Sequence, residues 1–336
     1  MQQLLAQVPL VFLLLLLAIS LAGLAKSSDY LVDHASLLAR KANMSELLIG
    51  ATIISIGTTL PEVATSALAS IDGSPEIALG NLFGSIVSNL TFVLGIGALF
   101  GAIPVNKDAL RNFHELFGFL IGFIILAFIS LTPIWPFQTG QIPSVLGFLF
   151  LIALCVHFVM MYRRMEHDHT LEEECTNEEK QKSTVFLLAI VIISALVLTF
   201  FANLLVDTVQ VIALQFGIPE TLISATVVSL GTSLPELSTF ISAVKKDRTS
   251  LALGNIIGAC VLNLLLVLPI APLLSPVLII PSIYFYFIFP MILVIALFFY
   301  FFVQNSKVRL ITKKEGLGLL FLYLVYVLIL VYLEIG

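Results

Sequence analysis

"SIGTTLPEVATSALA" at residues 55–69 and "SLGTSLPELSTFISA" at residues 229–243 read almost alike. Each sets a proline and then a glutamate inside a long apolar run. Proline has no N–H to donate, and its ring crowds the carbonyl four residues back, so a helix is interrupted there. A charged side chain at the centre of a membrane-spanning helix costs at least about 2.5–3.5 kcal/mol. The chain carries both features twice, 174 residues apart, which points to a structure built around them.

The surroundings are those of a membrane. Of 336 residues, 59% are hydrophobic and only 11% charged, whereas soluble domains are about 25% charged. This balance marks a membrane protein, and no nucleic-acid partner is expected. The three cysteines, Cys155, Cys175 and Cys260, are widely spaced with no C-x-x-C, so neither a disulfide framework nor a zinc site is expected. A span needs about 20 apolar residues. Ten candidates fit: 8–25, 47–71, 75–99, 112–131, 141–162, 184–206, 219–243, 249–273, 281–303 and 316–335. The first ends "LAGLAKSS", like a signal peptide, but its leader "MQQLLAQ" carries no base and it has a counterpart later in the chain. It is read as a span.

Ten spans leave both termini on one side. All sixteen Lys and Arg then fall on the other side, from Lys26, Arg40 and Lys41 to Lys313 and Lys314. By the positive-inside rule that side is the cytoplasm and both termini face out.

Shifting the sequence by 174 lays residues 46–90 on 220–264 without a gap, and 21 of 45 positions are identical. The same offset carries spans 1–5 onto spans 6–10, so the chain reads as a duplicated five-helix unit. The expected units are residues 1–162, a cytosolic linker at 163–183, and residues 184–336. Five is odd, so the second copy enters the membrane inverted. The hairpin tips agree: "IDGSP" at 71–75 has no base, whereas its counterpart "KKDRT" at 245–249 has three. Inverted repeats of this kind characterise secondary transporters, whose substrates bind near the midplane on interrupted helices. The linker, "RRMEHDHTLEEECTNEEKQKS", reads as a solvated loop, with a regulatory metal site at His167 and His169 as the alternative.

Pro61 frees the carbonyl of Gly57, and Pro235 that of Gly231. Carbonyls near Thr58 and Thr232 can then point elsewhere, which in a membrane is tolerated only beside protein or a water-filled cavity. Glu62 lies ten residues before the tip at Asp72, and Glu236 ten before Lys246. That is about 15 Å at the helical rise, half the hydrocarbon thickness. Both carboxylates therefore reach the midplane, from opposite sides. No base lies at matching depth in these hairpins, so a mobile cation is the simplest partner, with paired protonated glutamates as the alternative.

Helical spacing supplies further oxygens. Thr58, Glu62 and Thr65 share one face, and so do Asn81, Ser85 and Asn89. Thr232, Glu236 and Thr239 repeat the first set; Asn255 and Asn263 repeat the second, with Ala259 in place of the serine. Thr65, Ser88 and Thr239 also fit ordinary helix packing. Carboxylate, amide, hydroxyl and carbonyl oxygens suit Ca²⁺, and by the same hardness Na⁺, better than Mg²⁺. If the two ions compete for one pair of carboxylates, their fluxes are coupled. An empty site leaves two bare carboxylates in low dielectric, which disfavours reorientation without a cation.

"GTTLPE" and "GTSLPE", each followed by "ALGN" at 78–81 and 252–255, resemble the two alpha-repeats of the Ca²⁺/cation antiporter superfamily, most closely its prokaryotic sodium/calcium exchangers. The resemblance covers nearly the whole chain. It implies a ten-helix fold in a prokaryotic plasma membrane, and a central cluster of four ion sites. It implies Glu62 and Glu236 as shared acidic ligands, main-chain carbonyls of Thr58 and Thr232, hydroxyls of Thr59 and Ser233, and Ser85, Asn89 and Asn263 to complete the shell. It implies that spans 1 and 6 slide against the rest, with about three Na⁺ exchanged per Ca²⁺. Ala259, where the family commonly has a hydroxyl, and Asn263, where some relatives have Asp, leave the stoichiometry open. Asn263 argues against K⁺ as a co-substrate.

No cofactor is expected, a monomer suffices, and no nucleophile–base pair at shared depth suggests an enzyme. A Ca²⁺/H⁺ antiporter is the near alternative, and a cation channel the alternative of another class. Asp29, Asp33 and Asp207 read as interfacial residues or gate contacts, and His157 as a buried histidine with a partner.

Overall fold

The computed structural model describes residues 8–71, 75–130, 139–165, 183–217, 229–274, 277–305 and 309–335. The first half runs α1 (Leu10–Lys41), α2 (Glu46–Ile49), α3 (Ser55–Thr58), α4 (Leu60–Ile71), α5 (Pro75–Ser88), α6 (Leu94–Phe100), β1 (Ile103–Pro104), α7 (Lys107–Ile129), β2 (Thr139–Pro143) and α8 (Ser144–Met165). The second runs α9 (Thr184–Gln215), α10 (Ser229–Gly231), α11 (Leu234–Lys245), α12 (Thr249–Leu262), α13 (Leu268–Leu274), β3 (Val277–Pro281), α14 (Phe289–Asn305), β4 (Leu310–Ile311) and α15 (Lys313–Ile335). Among the described residues eight helices are long and apolar enough to cross a membrane, or nine if the bent segment Glu46–Thr58 with Leu60–Ile71 is one span. The protein is thus an all-helical, multi-pass membrane protein. The expected span at 219–243 begins outside the described residues and continues as α10 and α11. Nearly all of the linker, 166–182, also lies outside them, with the histidine pair.

Helices α1 and α9 are each 32 residues long and, among the described residues, make the most extensive helix–helix contact. At 1.5 Å per residue each is about 48 Å long, more than the hydrocarbon thickness, so each is long enough to span it and reach beyond. Sequence hydropathy ended these spans at 25 and 206. The helices continue because their later polar residues are satisfied within the helix: Ser27 Oγ donates to Gly23 O at 2.7 Å, and Thr208 Oγ1 to Leu204 O at 2.6 Å. Lys26, expected just past a span, lies inside α1 with its side chain outward, where a lysine stem can reach along the helix toward the interface.

Two small sheets tie the halves together. β1 pairs antiparallel with β4, and β2 with β3. A shift of 174 moves Ile103 onto Val277, so each pairing joins one strand from each half. Backbones also meet closely between residues 47–51 and α12. A Cβ on Gly254 would stand 2.2 Å from Leu47 O, and one on Gly258 would stand 2.5 Å from Ala51 O. Only glycine permits this approach, which brings the two repeated motifs side by side.

Candidate ion-binding site

The helix carrying the first motif bends by 43° between Thr58 and Leu60. The second breaks at Thr232 and Ser233, between α10 and α11. Both breaks fall just before the prolines, as the missing N–H dictates. Helical pairing resumes beyond them: Val63 N–H donates to Thr59 O at 3.1 Å, and Leu237 N–H to Ser233 O at 3.0 Å. Glu62 and Glu236 each sit one turn past a break, fully buried.

Hydrogen bonds knit the two motifs into one centre. Ser85 Oγ donates to Glu62 Oε1 at 3.3 Å and lies 3.3 Å from Thr232 Oγ1. Thr232 Oγ1 in turn donates to Asn81 Oδ1 at 3.3 Å. Thr58 Oγ1 donates to Asn255 Oδ1 at 3.2 Å. Asn81 Nδ2 reaches back to Ser66 Oγ at 3.4 Å.

Around this network the protein leaves many buried polar atoms without a protein partner. They include Thr59 Oγ1, Glu62 Oε2, Ser233 Oγ, both carboxylate oxygens of Glu236, and the side-chain amides of Asn89 and Asn263. An unpaired buried polar group costs about 1–3 kcal/mol, so such a concentration calls for a ligand. The uncommitted atoms are mostly hard oxygens with two carboxylates among them, a donor set that fits Ca²⁺ and Na⁺. Among the described residues no three His, Cys, Asp or Glu side chains cluster. Two carboxylates with neutral oxygens hold a cation less tightly than a cage of acids would, which suits cargo that must leave again.

Every residue expected at the site from the sequence is buried: Thr58, Thr59, Glu62, Ser85, Asn89, Thr232, Ser233, Glu236 and Asn263. The hydroxyls of Thr58 and Thr232 are engaged with Asn255 and Asn81, so main-chain carbonyls are what these threonines have left to offer. Asn89 and Asn263 each open a π-helical turn, Asn89–Val93 and Asn263–Val267. Such single wide turns recur at functional positions because they redirect side chains and carbonyls. The bridging roles of Asn81 and Asn255 were missed; the signal was their exchange under the offset of 174 on a face already holding Ser85 and Asn89. Away from this centre, His157 Nδ1 lies 3.3 Å from Glu115 Oε2, so the buried histidine has its partner.

The family described as sodium/calcium exchanger protein matches residues 12–163 and again residues 186–332. The chain belongs to that family. Among its relatives, the sodium/calcium exchanger MaX1 of Methanosarcina acetivorans is 30% identical over 95% of this chain and 98% of its own. The Ca²⁺/H⁺ antiporter ChaA of Bacillus subtilis is 26% identical over 67% of this chain and 64% of its own. Among solved structures, the sodium-calcium exchanger NCX_Mj soaked with 10 mM Na⁺ and 10 mM Sr²⁺ superposes with a TM-score of 0.77, at 29% identity over 94% of this chain and 98% of that one. The bends at the two motifs and the oxygen-lined centre of this exchanger-family chain therefore sit within a fold shared with a transporter.

Proposed function

We propose that the chain is a secondary active antiporter exchanging Na⁺ for Ca²⁺ across a prokaryotic plasma membrane, by alternating access to a midplane site shared by Glu62 and Glu236. One observation carries this: two fully buried glutamates, one from each motif, ringed by oxygens that no protein donor satisfies. Ligands are Glu62, Glu236, Asn89, Asn263, Ser85, the hydroxyls of Thr59 and Ser233, and the main-chain carbonyls of Thr58 and Thr232. Competition of Na⁺ and Ca²⁺ for the two carboxylates couples the fluxes, and the cost of burying both unneutralised blocks return of the empty carrier. Ten spans in two inverted five-helix repeats, 1–162 and 184–336, with both termini outside, complete the reading. The two family matches, the strand exchange between halves and the paired bonds Thr58–Asn255 and Thr232–Asn81 support it.

The test is uptake of radiolabelled calcium into proteoliposomes under separately imposed Na⁺, K⁺ and pH gradients. Uptake driven by an outward Na⁺ gradient alone is expected. Uptake driven by a pH gradient alone would favour a Ca²⁺/H⁺ antiporter, the second reading, which the likeness to ChaA motivates. Uptake that needs no counter-ion gradient and does not saturate would indicate a channel.

A further inference from the structure

Helix α11 and its C-terminal cap carry a second polar ladder below Glu236, at Ser238, Ser242 and the capping Lys246, spaced i, i+4, i+8. All three rungs reach α1. Ser238 Oγ donates to Ser28 Oγ at 3.0 Å, and Ser242 Oγ to Asp29 Oδ1 at 2.6 Å. Lys246 Nζ donates to Asp33 Oδ1 at 2.7 Å and to Asp29 O at 3.0 Å, with Asp29 Oδ1 at 3.7 Å. Ser28 and Ser242 are buried under this contact.

The repeat offers a comparison within the same molecule. The positions matching Ser238, Ser242 and Lys246 are Ala64, Leu68 and Asp72, which carry neither hydroxyl nor base. Ala64 and Leu68 are exposed, and among the described residues α4 makes no extensive contact with α9, the counterpart of α1, whereas α11 packs broadly on α1. Mirror-related faces are thus covered at the basic end and bare at the other.

We infer that Lys246, with Asp29, Asp33 and Ser242, is a latch holding α1 against α11, which closes the basic face of the molecule and leaves the opposite face as the resting access route. The inference rests on the alternating-access reading above. A partly exposed ion pair holds little by itself, but an access equilibrium needs only a modest bias to tip. When α1 slides, the ammonium leaves both aspartates, and their charges then face the departing route of a cation.

The test reads thiol accessibility and needs no ion flux. In a background without Cys155, Cys175 and Cys260, Ser28→Cys reports the latched face and Ala64→Cys the bare one. A membrane-impermeant maleimide is applied from each side of oriented vesicles. With Lys246 present, Ala64→Cys reacts and Ser28→Cys is protected. In Lys246→Gln, Ser28→Cys is expected to react about tenfold faster, a shift of about 1.4 kcal/mol, while Ala64→Cys slows. The exchanged pair Lys246→Asp with Asp33→Lys is expected to restore protection, which a merely disrupted helix would not do. Unchanged reactivity of Ser28→Cys in Lys246→Gln, or no restoration by the exchanged pair, overturns the latch. Loss of Na⁺-driven uptake with this pattern intact would instead count against the exchange reading alone.

Discussion

The Thr58 hydroxyl donates to Asn255 Oδ1 at 3.2 Å, joining residues 197 apart in sequence and one from each half of the chain. Its mirror image, Thr232 Oγ1 to Asn81 Oδ1, is 3.3 Å long. Each half therefore supplies the threonine of one bond and the asparagine of the other, and the candidate ion site is framed by an exchange of donors.

Thr58→Val keeps the shape and removes the donor, leaving Asn255 Oδ1 buried without its bond. An orphaned group of this kind costs about 1–3 kcal/mol. Thermal unfolding in detergent is expected to show that loss, and Thr232→Val a loss of the same size. A double variant whose losses simply add would indicate that the two bonds act independently.

Glu62→Gln and Glu236→Gln are each expected to abolish Ca²⁺ uptake while the protein still reaches the membrane. Stability gives a second readout. A cation at a hundred times its dissociation constant stabilises the native state by about 2.7 kcal/mol. That increment, measured as the difference in unfolding with and without Ca²⁺, is expected to vanish in both variants. Without cation the variants are expected to be at least as stable as the parent, since a bare buried carboxylate is gone.

Gly254→Ala places a methyl 2.2 Å from Leu47 O and 3.0 Å from Ala51 N. Both are backbone atoms that cannot step aside, so a loss of about 1–3 kcal/mol is expected. Gly118→Ala and Gly122→Ala meet nothing within 4 Å and should instead stabilise α7 by about 0.5–1 kcal/mol each. Unfolding temperatures of the three variants check the contrast.

Ala259→Ser restores at α12 the hydroxyl that Ser85 supplies at the matching place in α5. A further oxygen near the carboxylates is expected to lower the Na⁺ concentration for half-maximal Ca²⁺ release and to steepen the Na⁺ dependence. A flow assay over a Na⁺ titration measures both.

The motif and its consequences were legible in the sequence because they are local and repeated. A proline with a glutamate beside it in an apolar run announces a broken helix with a charge inside it, and the offset of 174 paired Glu62 with Glu236. The lengths of α1 and α9 were not legible. Hydropathy falls past residue 25, and only the in-helix bonds of Ser27 and its neighbours show why the helix goes on. The strand Val277–Pro281 was hidden because "VLIIP" is indistinguishable from the apolar background that surrounds it. The wide turns at Asn89 and Asn263 carry no mark in the local apolar pattern, which runs on through both. Asp29 and Asp33 left two readings open, and nothing in the sequence signalled that both would meet Lys246 across 213 residues or more.

The pairing of Ile103–Pro104 with Leu310–Ile311, and of Thr139–Pro143 with Val277–Pro281, bears on biogenesis. A nascent chain that has emerged only as far as the linker holds two strands whose mates are still unmade, and exposed strand edges invite wrong partners. The early half must wait in the bilayer, unfinished, until translation delivers the late one. Supplied as separate polypeptides in one cell, the two pieces should therefore find each other and assemble, whereas either piece made alone should be cleared.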